Sequence, residues 1–104
     1  MFGNLGEMAS LFKKAKDIQR NMAALKEEMA RSEFSASSAD GGVVAVVSGD
    51  FQIKSIAIAP SEQTSDRLGD HIAIAVNAAL AAAKSAMQSK MNEITGGLNV
   101  PGLF

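Results

Sequence analysis

EFSASSADGGVVAVVSGDFQIKSIAIAP, residues 33–60, decides the fold. The segment is rich in valine, isoleucine and serine, and it is cut twice by turn chemistry, at Ala39-Asp40-Gly41-Gly42 and at Ser48-Gly49-Asp50. Glycine reaches positive φ without steric cost and aspartate tolerates it. The cuts leave three strands, near residues 33–39, 43–48 and 51–59, short enough and close enough to form an antiparallel meander. Val43 to Val47 is apolar without interruption, whereas a strand covered on one face alternates, so the middle strand is expected to be buried on both faces. In the last strand the alternation changes phase: Phe51 and Ile53 fall on one face, Ile56 and Ile58 on the other. Both faces of the sheet therefore ask for cover. Two helices of one chain can cover one face, and the other calls for a second copy.

Helices flank this sheet on both sides. Before it, Met8, Leu11, Ala15, Ile18, Met22, Leu25 and Met29 recur at alternating steps of three and four, with Phe12 widening the seam. That is a heptad seam in residues of good helix propensity with no proline, and it predicts one helix from about Leu5 to Arg31. The seam suits packing on its own chain and equally packing that also meets another subunit. After the sheet, Pro60 stops the last strand and Thr64 or Ser65 is placed to cap a second helix, with Asp66 in its first turn. Leu68, Ile72, Ala75, Ala79, Ala83, Met87, Met91 and Ile94 carry that helix to about Thr95, and Gly96-Gly97 ends it. The fold class is thus α+β: long helix, three-stranded antiparallel meander, long helix. It makes one domain over residues 1–95, followed by an apolar tail, 96–104, ending LNVPGLF. Both helices outrun the sheet, so their free parts must project. Counted outward from the sheet, Lys13 and Lys84 are expected at similar distances, which would gather the basic residues of both helices into one outlying region.

Composition narrows the function. The formal charge is -1, but residues 1–31 hold six basic and four acidic side chains while residues 32–104 hold four and seven. The chain lacks cysteine, which removes disulfides and thiolate metal sites and fits a reducing compartment. MFGNLGEMAS has no secretory n-region and no apolar run reaches membrane length, so a membrane partner is not expected. Without tryptophan or tyrosine, the stacking platforms of single-strand and RNA binders are missing.

Catalysis finds little support. His71 is the only histidine and has no second ligand at metal spacing, so it reads as a surface or core-edge residue. No serine sits in a nucleophile motif, and Gly41-Gly42 and Gly96-Gly97 lack the pattern of a phosphate loop. The chemistry is concentrated instead in KKAKDIQR, residues 13–20, with four basic side chains in eight positions. On a helix Lys13, Lys16 and Arg20 fall within about 60° of one another and opposite the seam, while Lys14 lies at the seam's flank and Asp17 at the edge of the basic face. Such a face can neutralise phosphates. It is equally what a solubilising helix surface looks like.

The N-terminal MFGNLGEMASLFKKAKDIQRNMAALKEEMA, the central GGVVAVVSGDFQIKSIAIAP, LGDHIAIAVNAALAAAKSAMQSKM and the closing TGGLNVPGLF, taken in this order, resemble the YbaB/EbfC family of bacterial nucleoid-associated proteins over nearly the whole chain. The resemblance implies a cytoplasmic, nucleoid-located homodimer with protruding, tweezer-like helical arms that binds duplex DNA. It implies no cofactor, and no enzyme activity, metal or small-molecule substrate is expected. Carried over, the DNA-binding candidates are Lys13, Lys14, Lys16, Gln19 and Arg20, with Lys84, Gln88 and Lys90 as weaker partners. The chain departs from the family at Ala78, where an acidic residue often follows the helix-two asparagine. The alternative reading is a protein-interaction module in which seam, alanine-rich helix and tail dock a replication or recombination factor.

Overall fold

The computed structural model describes residues 2–96, with side chains from Leu5 onward. The elements are α1 (Phe2–Arg31), β1 (Glu33–Ser37), β2 (Val43–Ser48), β3 (Ile53–Ile58), a 3-10 turn (Pro60–Glu62) and α2 (Leu68–Thr95). The strands form an antiparallel sheet in the order β1-β2-β3, as the turn signals require. The molecule is a rod, 74 × 21 × 16 Å, because α1 alone has 30 residues, about 45 Å of helix. The expected tail lies, from residue 97 on, outside the described residues.

Each hairpin turn is held by its own polar side chains. In the first, Asp40 Oδ1 accepts from the Ser38 hydroxyl at 2.7 Å and from the Gly42 N–H at 3.0 Å, and Gly41 takes φ +74°. In the second, Ser48 is buried and its hydroxyl donates to Asp50 and accepts from the Gln52 N–H. Phe51 occupies the left-handed region at φ 68°, a strained setting for an aromatic residue. This turn takes up Phe51 and Gln52, so β3 starts two residues later than the alternation suggests.

One helix covers the sheet. Ala75, Ala79 and Ala83 of α2 and Val43, Ala45 and Val47 of β2 are completely buried against one another, with Phe34 and Ala36 of β1 beside them. Methyl side chains at every turn of contact bring the helix down onto the strand with no gap to fill. The opposite face of the sheet is small and partly polar: Ser35, Ser37, Val44, Val46, Ser55 and Ala57 share it by register. Val44 and Val46 are only half-buried, so the middle strand is fully covered on one face, not on both.

The phase change in β3 has a different meaning from the one its alternation suggests. A bulge between Val46 and Val47 shifts the register, pairing Val43 with Ile58, Ala45 with Ile56 and Val47 with Ile53. Directly paired residues share a face. Ile53, Ile56 and Ile58 therefore all lie on the α2 side. The extra residue of the bulge resets the period of two, an effect that reading the strand alone cannot register. Because α2 packs over β1 and β2, Ile53 and Ile56 stay 53% and 38% exposed. The bare apolar surface sits beside α2, above β3, instead of on the far face.

α1 joins the sheet at the second turn. The Gly49 N–H donates to the carbonyls of Met29 (2.8 Å) and Ser32 (3.2 Å). A Cβ at Gly49 would lie 2.4 Å from the Met29 oxygen, so only glycine allows the approach. From there α1 runs back along the last turns of α2. Leu25 and Met29 are buried with Met91, and Met22, Met87 and Ile94 close around them. The helix caps differ from expectation in one place. After Pro60 the chain makes a 3-10 turn that carries Glu62 inward, and α2 begins only at Leu68, with Arg67 at its N-cap and no side-chain cap. Ser65 instead accepts from the Arg67 N–H, and Asp70, not Asp66, is the acid of the first turn. At the other end Gly96 caps α2 in the left-handed conformation, as expected.

Glu62 is 4% exposed and both its oxygens accept from the Nδ1 position of His71, at 3.0 and 2.9 Å. Asp40 Oδ2 lies 3.9 Å from the same nitrogen. The first hairpin, the 3-10 turn and α2 are thereby tied together, and His71 is the core-edge residue its position suggests.

Two outcomes follow from this packing. Ala79→Leu should lower stability by about 1–3 kcal/mol or more in a urea titration, because the contact has no room, while Ala78→Leu on the exposed side should stay within about 0.5 kcal/mol. Asp40 is held well below its ordinary value of 3.8 by hydrogen bonding with Glu62, with the Gly42 N–H and with the Ser38 hydroxyl, and by the nearby charge of His71. A depressed folded-state value means stability that is fully present above pH 3.8 and drains away as the pH falls below it. The urea midpoints of wild type and Asp40→Asn should therefore differ at pH 7, and the gap should begin to narrow only below pH 3.8, with most of it surviving at pH 3.

Candidate nucleic-acid interface

The seam of α1 divides at Ile18. Its inner half, Met22, Leu25 and Met29, packs on α2. Among the described residues its outer half has no cover: Leu5, Met8, Leu11 and Phe12 are between 52% and 67% exposed. The cause is geometric. α2 spends its first four turns lying across the sheet and ends at Thr95, level with Lys14, Ile18 and Asn21 of α1. α1 begins its run at the sheet's edge and continues outward, so its first turns stand clear as an arm.

The basic stretch lies on that arm. Lys13, Lys16 and Arg20 line one hollow with Ala9, Phe12 and Asp17, on the side away from the seam. All three are exposed. Arg20 forms an ion pair with Asp17 at 3.7 Å, one turn away and open to solvent, which is worth little against competing water. Among the described residues no acidic group lies within 4.0 Å of Lys13, Lys14 or Lys16. Gln19 is exposed on the same arm. Lys14 is separated from the other three: it faces the groove between α1 and the end of α2, beside Asp17, Ile18, Asn21 and Glu93.

The basic residues of α2 do not join them. Lys84 lines a shallow apolar hollow with Phe51, Asn77, Leu80 and Ala81, next to the second sheet turn. Gln88 is one helical turn further along and exposed. Lys90 is tied to Glu28 of α1 at 3.3 Å. Equal distance along the two helices was the expectation for Lys13 and Lys84, and it fails because α2 crosses the sheet before it leaves it. The arm's positive charge is accordingly a property of α1. Sequence reasoning also left out Phe51, whose exposed ring stands on a left-handed backbone just before β3; a non-glycine residue just after Gly49-Asp50 was the available signal.

The family model of the YbaB/EbfC DNA-binding family matches residues 4–98. A nucleoid-associated protein of Clostridium kluyveri is 38% identical over 99% of this chain and 93% of its own length. One from Synechocystis is 39% identical over 97% of this chain and 90% of its own, and one from Pseudomonas fluorescens is 34% identical over 92% and 91%. The chain belongs to the YbaB/EbfC DNA-binding family. In fold it is similar to an uncharacterized protein from Helicobacter pylori, with a TM-score of 0.62 and 14% identity over 72% of this chain and 90% of that one. Among the described residues no helix is long and apolar enough to cross a membrane.

Proposed function

We propose that this protein acts as a homodimer that holds duplex DNA between its α1 arms through the phosphate backbone, with little reading of base sequence, and that in this way it contributes to nucleoid organisation and gene expression in the bacterial cytoplasm. The observation that carries the reading is the exposed set of Lys13, Lys16 and Arg20 on a helix that projects beyond the end of α2. Two such arms present six to eight cations, counting Lys14, to a polyanion. Base contacts need side chains suited to bidentate pairing and an element shaped to enter a groove. On this arm Gln19, Arg20 and Asn21 alone qualify, so affinity is expected to come from charge. Catalysis has no part in the reading.

The dimer accounts for the apolar surface left exposed among the described residues: the outer seam of α1 and the flank of β3 with Phe51, Ile53 and Ile56. A replication or recombination factor docked on the same stripe is the second reading, and the exposed apolar row on the arm is what supports it. A second copy fits better, because it covers both surfaces at once and leaves the basic face, opposite the seam, free.

Neutralising about six to eight phosphates per dimer predicts a slope of log affinity against log salt near -5 to -7, measured by gel shift or fluorescence anisotropy on a duplex of random sequence. Replacing Lys13, Lys16 and Arg20 together by glutamine should leave the oligomer intact, flatten that slope and abolish the shift at physiological salt. Retained binding in this variant would place the DNA site elsewhere. Ile56→Lys and Leu11→Lys, both at exposed positions of the single chain, should give folded monomers by light scattering with unchanged helical circular dichroism; dimers in both variants would remove the proposed interface.

A further inference from the structure

Asp40, Glu62 and His71 come from three elements far apart in sequence, yet one donor atom from each lies within 4.8 Å of the others. The way they are held is as telling as their closeness. Asp40 Oδ1 is occupied by the Ser38 hydroxyl and the Gly42 N–H, which fixes the carboxylate and leaves Oδ2 turned toward His71. Glu62 is buried, and it fits only because Gly42 has no side chain: a Cβ there would lie 2.4 Å from the Glu62 Cγ. Hydrogen bonds that orient ligating carboxylates are a feature of built metal sites, and the close approach at Gly42 holds the Glu62 side chain in place.

The spacing agrees. Donor atoms about 2.1 Å from a shared ion, at angles of roughly 90–110°, stand about 3.0–3.4 Å apart. His71 Nδ1 and the Glu62 oxygens are already at 2.9 and 3.0 Å, and Asp40 Oδ2, on an exposed hairpin, stands 3.9 Å from the same nitrogen, with the three donors within 4.8 Å of one another. One imidazole nitrogen among carboxylate oxygens favours a first-row transition metal over magnesium or calcium, and two negative charges around one dication leave no buried excess.

We propose that Asp40, Glu62 and His71 form a binding site for a divalent transition metal, zinc before manganese, with His71 Nδ1 and one oxygen of each carboxylate as ligands and water completing the shell. On binding, the imidazole gives up its Nδ1 proton and keeps the one on Nε2, so metal uptake releases a proton to solvent when the ring starts charged. The ion would clasp the first hairpin, the 3-10 turn and α2 at the end of the sheet remote from the arm, about 20 Å along β2 from the turn that meets α1. The site is separate from DNA binding and does not depend on it.

The chain is unusually suited to the test, because it holds one histidine and no cysteine. Zinc chloride titrated calorimetrically into full-length, chelator-stripped protein at pH 7.5 should show one ion per chain, with a dissociation constant on the order of micromolar. The single imidazole should shift its Nδ1 resonance in 15N spectra on zinc addition. Asp40→Asn keeps an oxygen for Ser38 and Gly42 while removing the facing ligand, and His71→Ala removes the nitrogen. Each should weaken binding tenfold or more, with Asp40→Asn serving as the folded control if His71→Ala is unstable. The proposal is overturned by no saturable uptake of zinc or manganese up to about 1 mM, far above the affinity a built site supports. It is equally overturned by zinc binding of wild-type strength in Asp40→Asn, or by an unmoved His71 resonance.

Discussion

The contact between the alanine face of α2 and β2 sets the terms for the rest of the molecule. Ala75, Ala79 and Ala83 bring the helix so close to Val43, Ala45 and Val47 that all six side chains vanish from solvent. A helix lying that low on a sheet has a narrow footprint. It covers two strands and leaves the third, and it spends on the sheet the turns that would otherwise accompany α1 outward. The bare flank of β3 and the unsupported arm are two consequences of one choice of small side chains.

The two kinds of surface produced in this way are kept apart on one helix. On α1 the seam and the basic face lie on opposite sides of the same cylinder, so the helix can be gripped along one side while the other stays in water. Hydrophobic cover and electrostatic attraction therefore do not compete for the same residues. Phe12, which widens the seam toward the lysines, is the one side chain bordering both.

Much of this was legible in the chain itself. The steps of three and four gave α1 within three residues of its start, and Gly96 its αL stop for α2, since helix periodicity and capping are local properties. The three strands were readable from their turns. What could not be read is what depends on pairing across the fold. The bulge opposite Val46 and Val47 puts Ile53, Ile56 and Ile58 on one side, though their spacing in the chain argues otherwise. The 3-10 turn displaced the cap of α2 because Glu62 is drawn to His71, a partner nine residues away. Lys84 fell away from the basic stretch because the path of α2 over the sheet is a tertiary fact. Lys13, Lys16 and Arg20 were recognisable as a group because their grouping needs only helical geometry.

The joint at which α1 meets α2 is made largely of methionine: Met22, Met29, Met87 and Met91 are four of the six in the chain. Unbranched thioether side chains change rotamer cheaply and tolerate sliding neighbours. From Ile18 outward α1 is a lever about 24 Å long, and a 10° tilt at its fulcrum carries the tip about 4 Å. The position of the arm is thus compliant, adjustable by repacking at a soft pivot without disturbing the alanine-packed platform. In the proposed clamp, that compliance would let the arms follow a duplex whose groove width and bending vary from place to place.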